Sequence, residues 1–419
     1  AGDISLTSSS AALGFATAVT LTGNVVFSTT NGAMTFAEVV DGTADDTQNL
    51  TLNAGSGDVT FAKALGAVKT LGDVAANSTG ATKFQGAVLA KSLTTNVGGS
   101  TELSADVTTT GAQVFNDMVV LTGGVTLTGT DITLAQTINS DATGTKRALT
   151  VTGSGVTTFG GAVGGTVALA SLTVNGGGTA LLNGGAVTTS GAQSYADAVT
   201  LGANTALVTT DSNVGFASTL NSSEALATAV PAAPATLSIT AGAGDVTFGA
   251  IVGGATYTAT NGALGAVTLV SAKDVGINAA FTAASLTQQA GTGTTTIGAA
   301  TTLTGVLSFT GSALTVNAAV TTGGAVTVVN AGAFTTIAAG DITAAGAFSQ
   351  TGAGTNSLAG DITAGGNIAV ARAAVLTGDV AIVTTNASGT IDLAGVNSDG
   401  TGAKNLLLRS LGALTIDAA

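Results

Sequence analysis

Apolar and hydroxyl-bearing residues alternate along most of this chain in short runs. Ser171-Leu-Thr-Val-Asn175, Ala198-Val-Thr-Leu201 and Ala313-Leu-Thr-Val-Asn317 place Leu or Val at every second position, and Gly, Asn or Asp bound them. Period two marks a half-buried strand, and the bounding residues mark turns. Thr and Val favour strands because branched side chains pack well on a pleated surface. Helical spacing is nearly absent, since Gly and Thr interrupt every window. The pattern predicts an all-β chain of many short strands.

The runs repeat. Leu50-Thr-Leu-Asn-Ala-Gly-Ser-Gly-Asp-Val-Thr-Phe61 returns as Leu149-Thr-Val-Thr-Gly-Ser-Gly-Val-Thr-Thr-Phe159 and as Leu237-Ser-Ile-Thr-Ala-Gly-Ala-Gly-Asp-Val-Thr-Phe248. A shorter element, Gly340-Asp-Ile-Thr343, recurs as Gly360-Asp-Ile-Thr363, with a variant at Gly2-Asp-Ile-Ser5. A unit of about twenty residues holds two or three short strands with turns, one coil of a parallel β-helix. The chain then makes roughly twenty rungs, and at a strand spacing of ~4.8 Å a rod on the order of 100 Å. Phe61, Phe159 and Phe248 are expected at one equivalent interior position, stacked within their own blocks.

A longer period sits above the rungs. Gly111-Ala-Gln-Val-Phe-Asn-Asp117 returns as Gly191-Ala-Gln-Ser-Tyr-Ala-Asp197. Leu376-Thr-Gly-Asp-Val380 mirrors Leu21-Thr-Gly-Asn-Val25, so the last block restarts the first. The expectation is one continuous β-solenoid over residues 1–419, cut from a longer array, with blocks at roughly 1–110, 111–190, 191–280 and 281–419. The start at Ala1, without initiator Met or signal peptide, fits a processed form or an internal segment.

Each block carries one variable loop. Asn139-Ser-Asp-Ala-Thr-Gly-Thr-Lys146 matches Asn397-Ser-Asp-Gly-Thr-Gly-Ala-Lys404, and the counterparts are Asp41-Gly-Thr-Ala-Asp-Asp-Thr-Gln48 and Asn221-Ser-Ser-Glu224 with an insert reaching Pro231 and Pro234. Insertions in repeat proteins map to loops on one face. These loops hold the only candidate ligating residues, Asp41, Asp45, Asp46, Asp141 and Asp399. Hard cations take carboxylate oxygens, so Ca2+ is the candidate cofactor. A solvated turn suits the same side chains, because Asp caps turns and tolerates left-handed backbone.

Composition narrows the function. Charged residues are 8% of the chain, aromatics 4%, and the net charge is −13, which argues against nucleic acid as a partner. There is no His, Cys or Trp, so a Ser-His-Asp triad, thiol chemistry and zinc have no ligands or bases to use. No apolar run reaches the eighteen or so residues of a spanning helix. Two Tyr and no Trp do not furnish the aromatic girdles of an outer-membrane barrel. Disordered chains combine low hydrophobicity with high charge, the reverse of what is seen here.

The motifs Asn-Ser-Asp-x-Thr-Gly, Leu-Thr-Val-x-Gly-x-Gly, Phe159-Gly-Gly-Ala-Val-Gly-Gly165 and Gly-Ala-Gln-x-Tyr resemble the repeats of filamentous-haemagglutinin and autotransporter-passenger surface proteins of bacteria. The resemblance covers most of the chain. It implies a right-handed parallel β-helix, exported to the cell surface and used in adhesion, matrix or filaments. The expected function is therefore non-enzymatic: a subunit of an extracellular filament, sheath or fibrous adhesin whose partner is itself. A monomeric stalk displaying its loops to a host or neighbouring cell surface is the alternative. The enzymatic rival is a β-helix polysaccharide hydrolase or lyase, which needs paired carboxylates in a groove.

Overall fold

The computed structural model describes residues 4–8, 11–141, 144–223, 233–254 and 262–417. Among them every regular element is a β-strand, and the strands pair in parallel. The chain divides into two compact units, residues 1–203 and 204–419, with the division inside the 191–280 block. Each unit is a parallel β-solenoid. Of the expected insert, Glu224 and Pro231 lie outside the described residues, and Pro234 precedes the strand Leu237–Thr240.

In the first unit the alternation builds three ladders around one core. One runs Phe27, Leu52, Ala76, Thr95, Phe115, Leu134, Phe159, Leu182, Leu201. The second runs Phe15, Phe36, Phe61, Phe84, Leu103, Leu121. The third runs Val19, Val40, Leu65, Val88, Val107, Leu127, Val151, Val174, Tyr195. The strand Val25–Thr29 shows the mechanism, with Val25, Phe27 and Thr29 buried and Val26 and Ser28 turned outward. Because register is in step from turn to turn, like residues stack. The Phe61 ring lies 4.8 Å from Phe36 and 5.4 Å from Phe84, at interplanar angles of 10° and 3°.

Phe61, Phe159 and Phe248 are all buried, but Phe61 and Phe159 do not share one position. Phe61 belongs to the second ladder and Phe159 to the first, between Leu134 and Leu182 rather than in an aromatic stack. The cause lies in the spacing. Leu50 pairs with Val25 on the first face, whereas Leu149, its sequence counterpart, pairs with Val125 on the third. The interval between these two copies is not a whole number of turns, so the second begins on a different face from the first. The variable loops follow the same rule. One leaves after Val40–Gly42 on the third face and the next after Ile138–Ser140 on the second, so they do not project from a single face.

The second unit repeats the plan. Its ladders include Phe216, Phe248, Ile277, Ile297, Val316, and Leu207, Ile239, Leu269. Phe248 stacks on Phe216 at 5.7 Å and meets Phe281 edge-on. Gly66, Gly164 and Gly253 mark one kind of turn in the two units. They follow the bridging residues Leu65, Val163 and Val252, with φ of +75°, +67° and +64°. A Cβ at each would run into the backbone carbonyl of the next turn, at Leu89, Thr188 and Thr282 respectively.

Candidate functional site

The loop carboxylates expected to hold a cation are engaged by donors of their own chain. Asp41 Oδ1 accepts the Val68 N–H at 2.9 Å. Asn139, at the matching strand position of the next loop, accepts the N–H groups of Thr166 and Val167 at 2.9 and 3.1 Å. A carboxamide thus fills the same role as the carboxylate. Asp45 accepts the Lys69 ammonium at 2.9 Å and the Thr70 N–H at 3.1 Å, and the lysine bond above all holds its carboxyl below the usual range. Asp46 adopts φ +56° and accepts the hydroxyls of Thr70 and Thr110 at 2.8 and 3.0 Å. Gln48 closes this loop from inside, its Oε1 taking the N–H groups of Thr43 and Ala44 at 3.0 and 3.2 Å.

Asp141 receives the Arg147 guanidinium through both oxygens, at 2.9 and 3.3 Å. Asp399 accepts the Thr401 N–H at 3.0 Å and hydroxyl at 2.7 Å, with Lys404 at 3.9 Å. The Thr401 backbone bond leads the causes that lower its carboxyl. Among the described residues no three His, Cys, Asp or Glu side chains converge as a metal site would require.

The same chemistry extends beyond the loops. Acidic and carboxamide side chains at the corners accept the backbone N–H one turn further on. Asn49 donates to Asn24 at 3.0 Å, and Asp73 to Asn49 at 2.8 Å. In the second unit Asp245 donates to Asn213, Asp274 to Asp245 and Thr294 to Asp274, at 2.8, 3.3 and 2.7 Å. Asp361 and Ala381 make the same kind of bond to Asp341 and Asp361 beside another ladder, at 2.8 and 2.7 Å. Each bond ties one turn to the next along the axis. The bound N–H favours the anion, so Asp58, Asp274 and Asp379 are all lowered, chiefly by the bonds from Ala81, Thr294 and Asn405.

A second set of polar groups lies inside the core. In the repeated Gly-Ala-Gln motif the glutamine points inward. Gln113 Nε2 donates to the carbonyls of Val107 and Thr128, at 3.2 and 2.8 Å, and Gln193 Nε2 reaches the Val187 carbonyl at 3.1 Å. The Tyr195 hydroxyl donates to Gln193 at 3.2 Å, and burial pushes its ionisation upward. Gln350 donates to Asn330 of the preceding turn at 2.8 Å and accepts from Asn356 of its own turn at 3.1 Å, a buried amide chain spanning two turns. Two aspartates, Asp117 and Asp197, are buried at corners of the first unit. The recurrence of Gly-Ala-Gln…Asp was visible in the sequence, but period two alone does not tell an inward Gln from an outward one.

A shallow groove of about 200 Å³ lies in the second unit, beside Gln350, Thr351, Asp392 and Asp417. No aromatic ring lines it. No helix among the described residues is long and apolar enough to cross a membrane. Comparison with protein families, curated proteins and solved structures returned no match.

Proposed function

We propose that this chain is a non-enzymatic structural section of an extracellular or cell-surface filament, sheath or fibrous adhesin, assembling with copies of itself. The observation that carries this reading is where the polar side chains go. Asn and Asp at the corners bind the next turn, and the buried amides bind across turns, so polar chemistry is spent along the axis rather than gathered at a cleft. That is the economy of a strut. The resemblance of the repeats to bacterial surface proteins points the same way.

Negative-stain electron microscopy of the purified protein tests the proposal. Long fibres of uniform width are expected. Separate particles at every concentration would overturn self-assembly and leave the monomeric stalk. Release of sugar from polysaccharide, lost on replacing Asp392 or Asp417 by Asn, would overturn the non-enzymatic assignment.

A further inference from the structure

Two corners of the first unit bury an aspartate at the end of the Gly-Ala-Gln motif. Asp117, between strands Gln113–Phe115 and Met118–Leu121, is 2% exposed. Its Oδ1 accepts the hydroxyls of Thr95 and Thr101, at 2.9 and 2.8 Å, and its Oδ2 is buried without a partner. Asp197, between Gln193–Tyr195 and Ala198–Leu201, is 4% exposed. Its Oδ1 takes the Gly177 N–H at 2.8 Å, and its Oδ2 is again without a partner. The inward ladders beside them run Thr82, Thr101, Val119 and Thr157, Ala180, Val199. Of the two, only Asp117 takes its bonds from other residues through hydroxyls alone.

We infer that Asp117 is held as a neutral acid, with its proton on Oδ2, and that loss of this proton unlocks the corner formed by residues 113–121. The elements packed around it offer no cation. Thr95 reaches it from strand Val88–Thr95, whose Lys91 is exposed. Thr101 reaches it from strand Ser100–Leu103, whose Glu102 lies on the outward side and pairs in register with Lys83. Lys83 in turn is bound to Asp58 at 3.1 Å. Gln113 is neutral, and the strands Ile132–Leu134 and Ile138–Ser140 carry no ionisable side chain.

An anion in this place would have two hydroxyl donors on one oxygen and the weak help of its own backbone N–H, with no hydrogen bond to Oδ2. A neutral acid needs less. Burial outweighs the bonds from Thr101 and Thr95 and raises the Asp117 carboxyl above its ordinary 3.8. The sign follows by linkage. The folded state binds this proton more tightly than the unfolded chain does, so the contribution is fully present below 3.8 and is lost as pH rises through the folded value. It opposes the corner carboxylates, which favour the fold at higher pH.

Asp117→Asn keeps the shape of the neutral acid and cannot ionise. In the wild type, amide exchange over residues 113–121, corrected for its intrinsic pH dependence, should accelerate above the transition. In Asp117→Asn that acceleration should be lost. The infrared carbonyl band of a protonated carboxylic acid should be present in the folded wild type at pH values above the ordinary range of Asp, and missing from the variant. Equal acceleration in both proteins, or no such band in the wild type, would overturn the inference. If Asp117→Asn does not fold, Thr101→Val serves instead. It removes a donor that favours the anion and should move the transition to higher pH. A transition that stays put or moves lower would count against the assignment.

Discussion

Replacing Gln350 by Leu removes the middle of the amide chain in the second unit and leaves Asn330 Oδ1 without the donor it now has. Stranding a buried polar group costs about 1–3 kcal/mol. A denaturant melt of Gln350→Leu should show that loss, and an unchanged midpoint would mean the chain is not a stabilising element. Phe61→Ala opens a cavity between Phe36 and Phe84 and should cost about 3–5 kcal/mol in the same assay. The corner carboxylates give a pH dependence of known sign. Asp58, Asp274 and Asp379 are lowered in the folded state, so their contribution is present above the ordinary 3.8 and lost as pH falls through the folded values. Melting temperature should therefore drop on acidification below about 4, less steeply in high salt, since these groups lie near the surface. Asp41→Asn tests the cation reading of the loops. Since Asn139 accepts the corresponding backbone N–H through its amide oxygen, the substitution should change stability by no more than about 0.5 kcal/mol, with or without millimolar calcium. A loss seen only with calcium present would restore a metal at that loop.

At the scale of elements, strands were legible because inward and outward positions alternate without interruption, as in Leu50–Gly55 and Val380–Thr384. What the sequence hid was the angular position of each strand. Turn lengths vary: Leu93 pairs with Gln113, twenty residues on, but Val25 pairs with Leu50, twenty-five on. A repeat counted in residues therefore does not count turns, and Phe61 and Phe159 parted company for that reason. The inward Gln113 and Asp117 were hidden by chemistry instead, since a polar residue in an alternating run is ordinarily read as solvent-facing. The glycine turns were half legible. Gly66→Ala should destabilise by about 1–3 kcal/mol from left-handed backbone alone, with more from the clash with the Leu89 carbonyl. A Gly66→Ala protein that melts with the wild type would show that this turn relaxes freely.

For the molecule as a whole, the candidate site was the least legible part. The same aspartate suits a turn, a cation or an acid, and only its neighbours decide; for Asp41, Asp45 and Asp141 the neighbours are the next turn's N–H groups, Lys69 and Arg147. The rotation of the long repeat has a consequence for how such a gene can grow or shrink. Leu50 and Leu149 begin like segments on different faces, yet each enters its ladder in the same inward phase. Unequal crossing-over between them removes four whole turns and part of a fifth, and the coil should close all the same, because all three faces of the unit accept an apolar residue at alternate positions. Copy number is thereby uncoupled from geometry. A protein lacking residues 50–148 should still give a β-sheet circular dichroism spectrum and one cooperative melt, whereas a broad, non-cooperative transition would mean that the faces are not interchangeable. A chain built this way tolerates recombination that would wreck a closed core, and its length becomes a heritable variable rather than a fixed property.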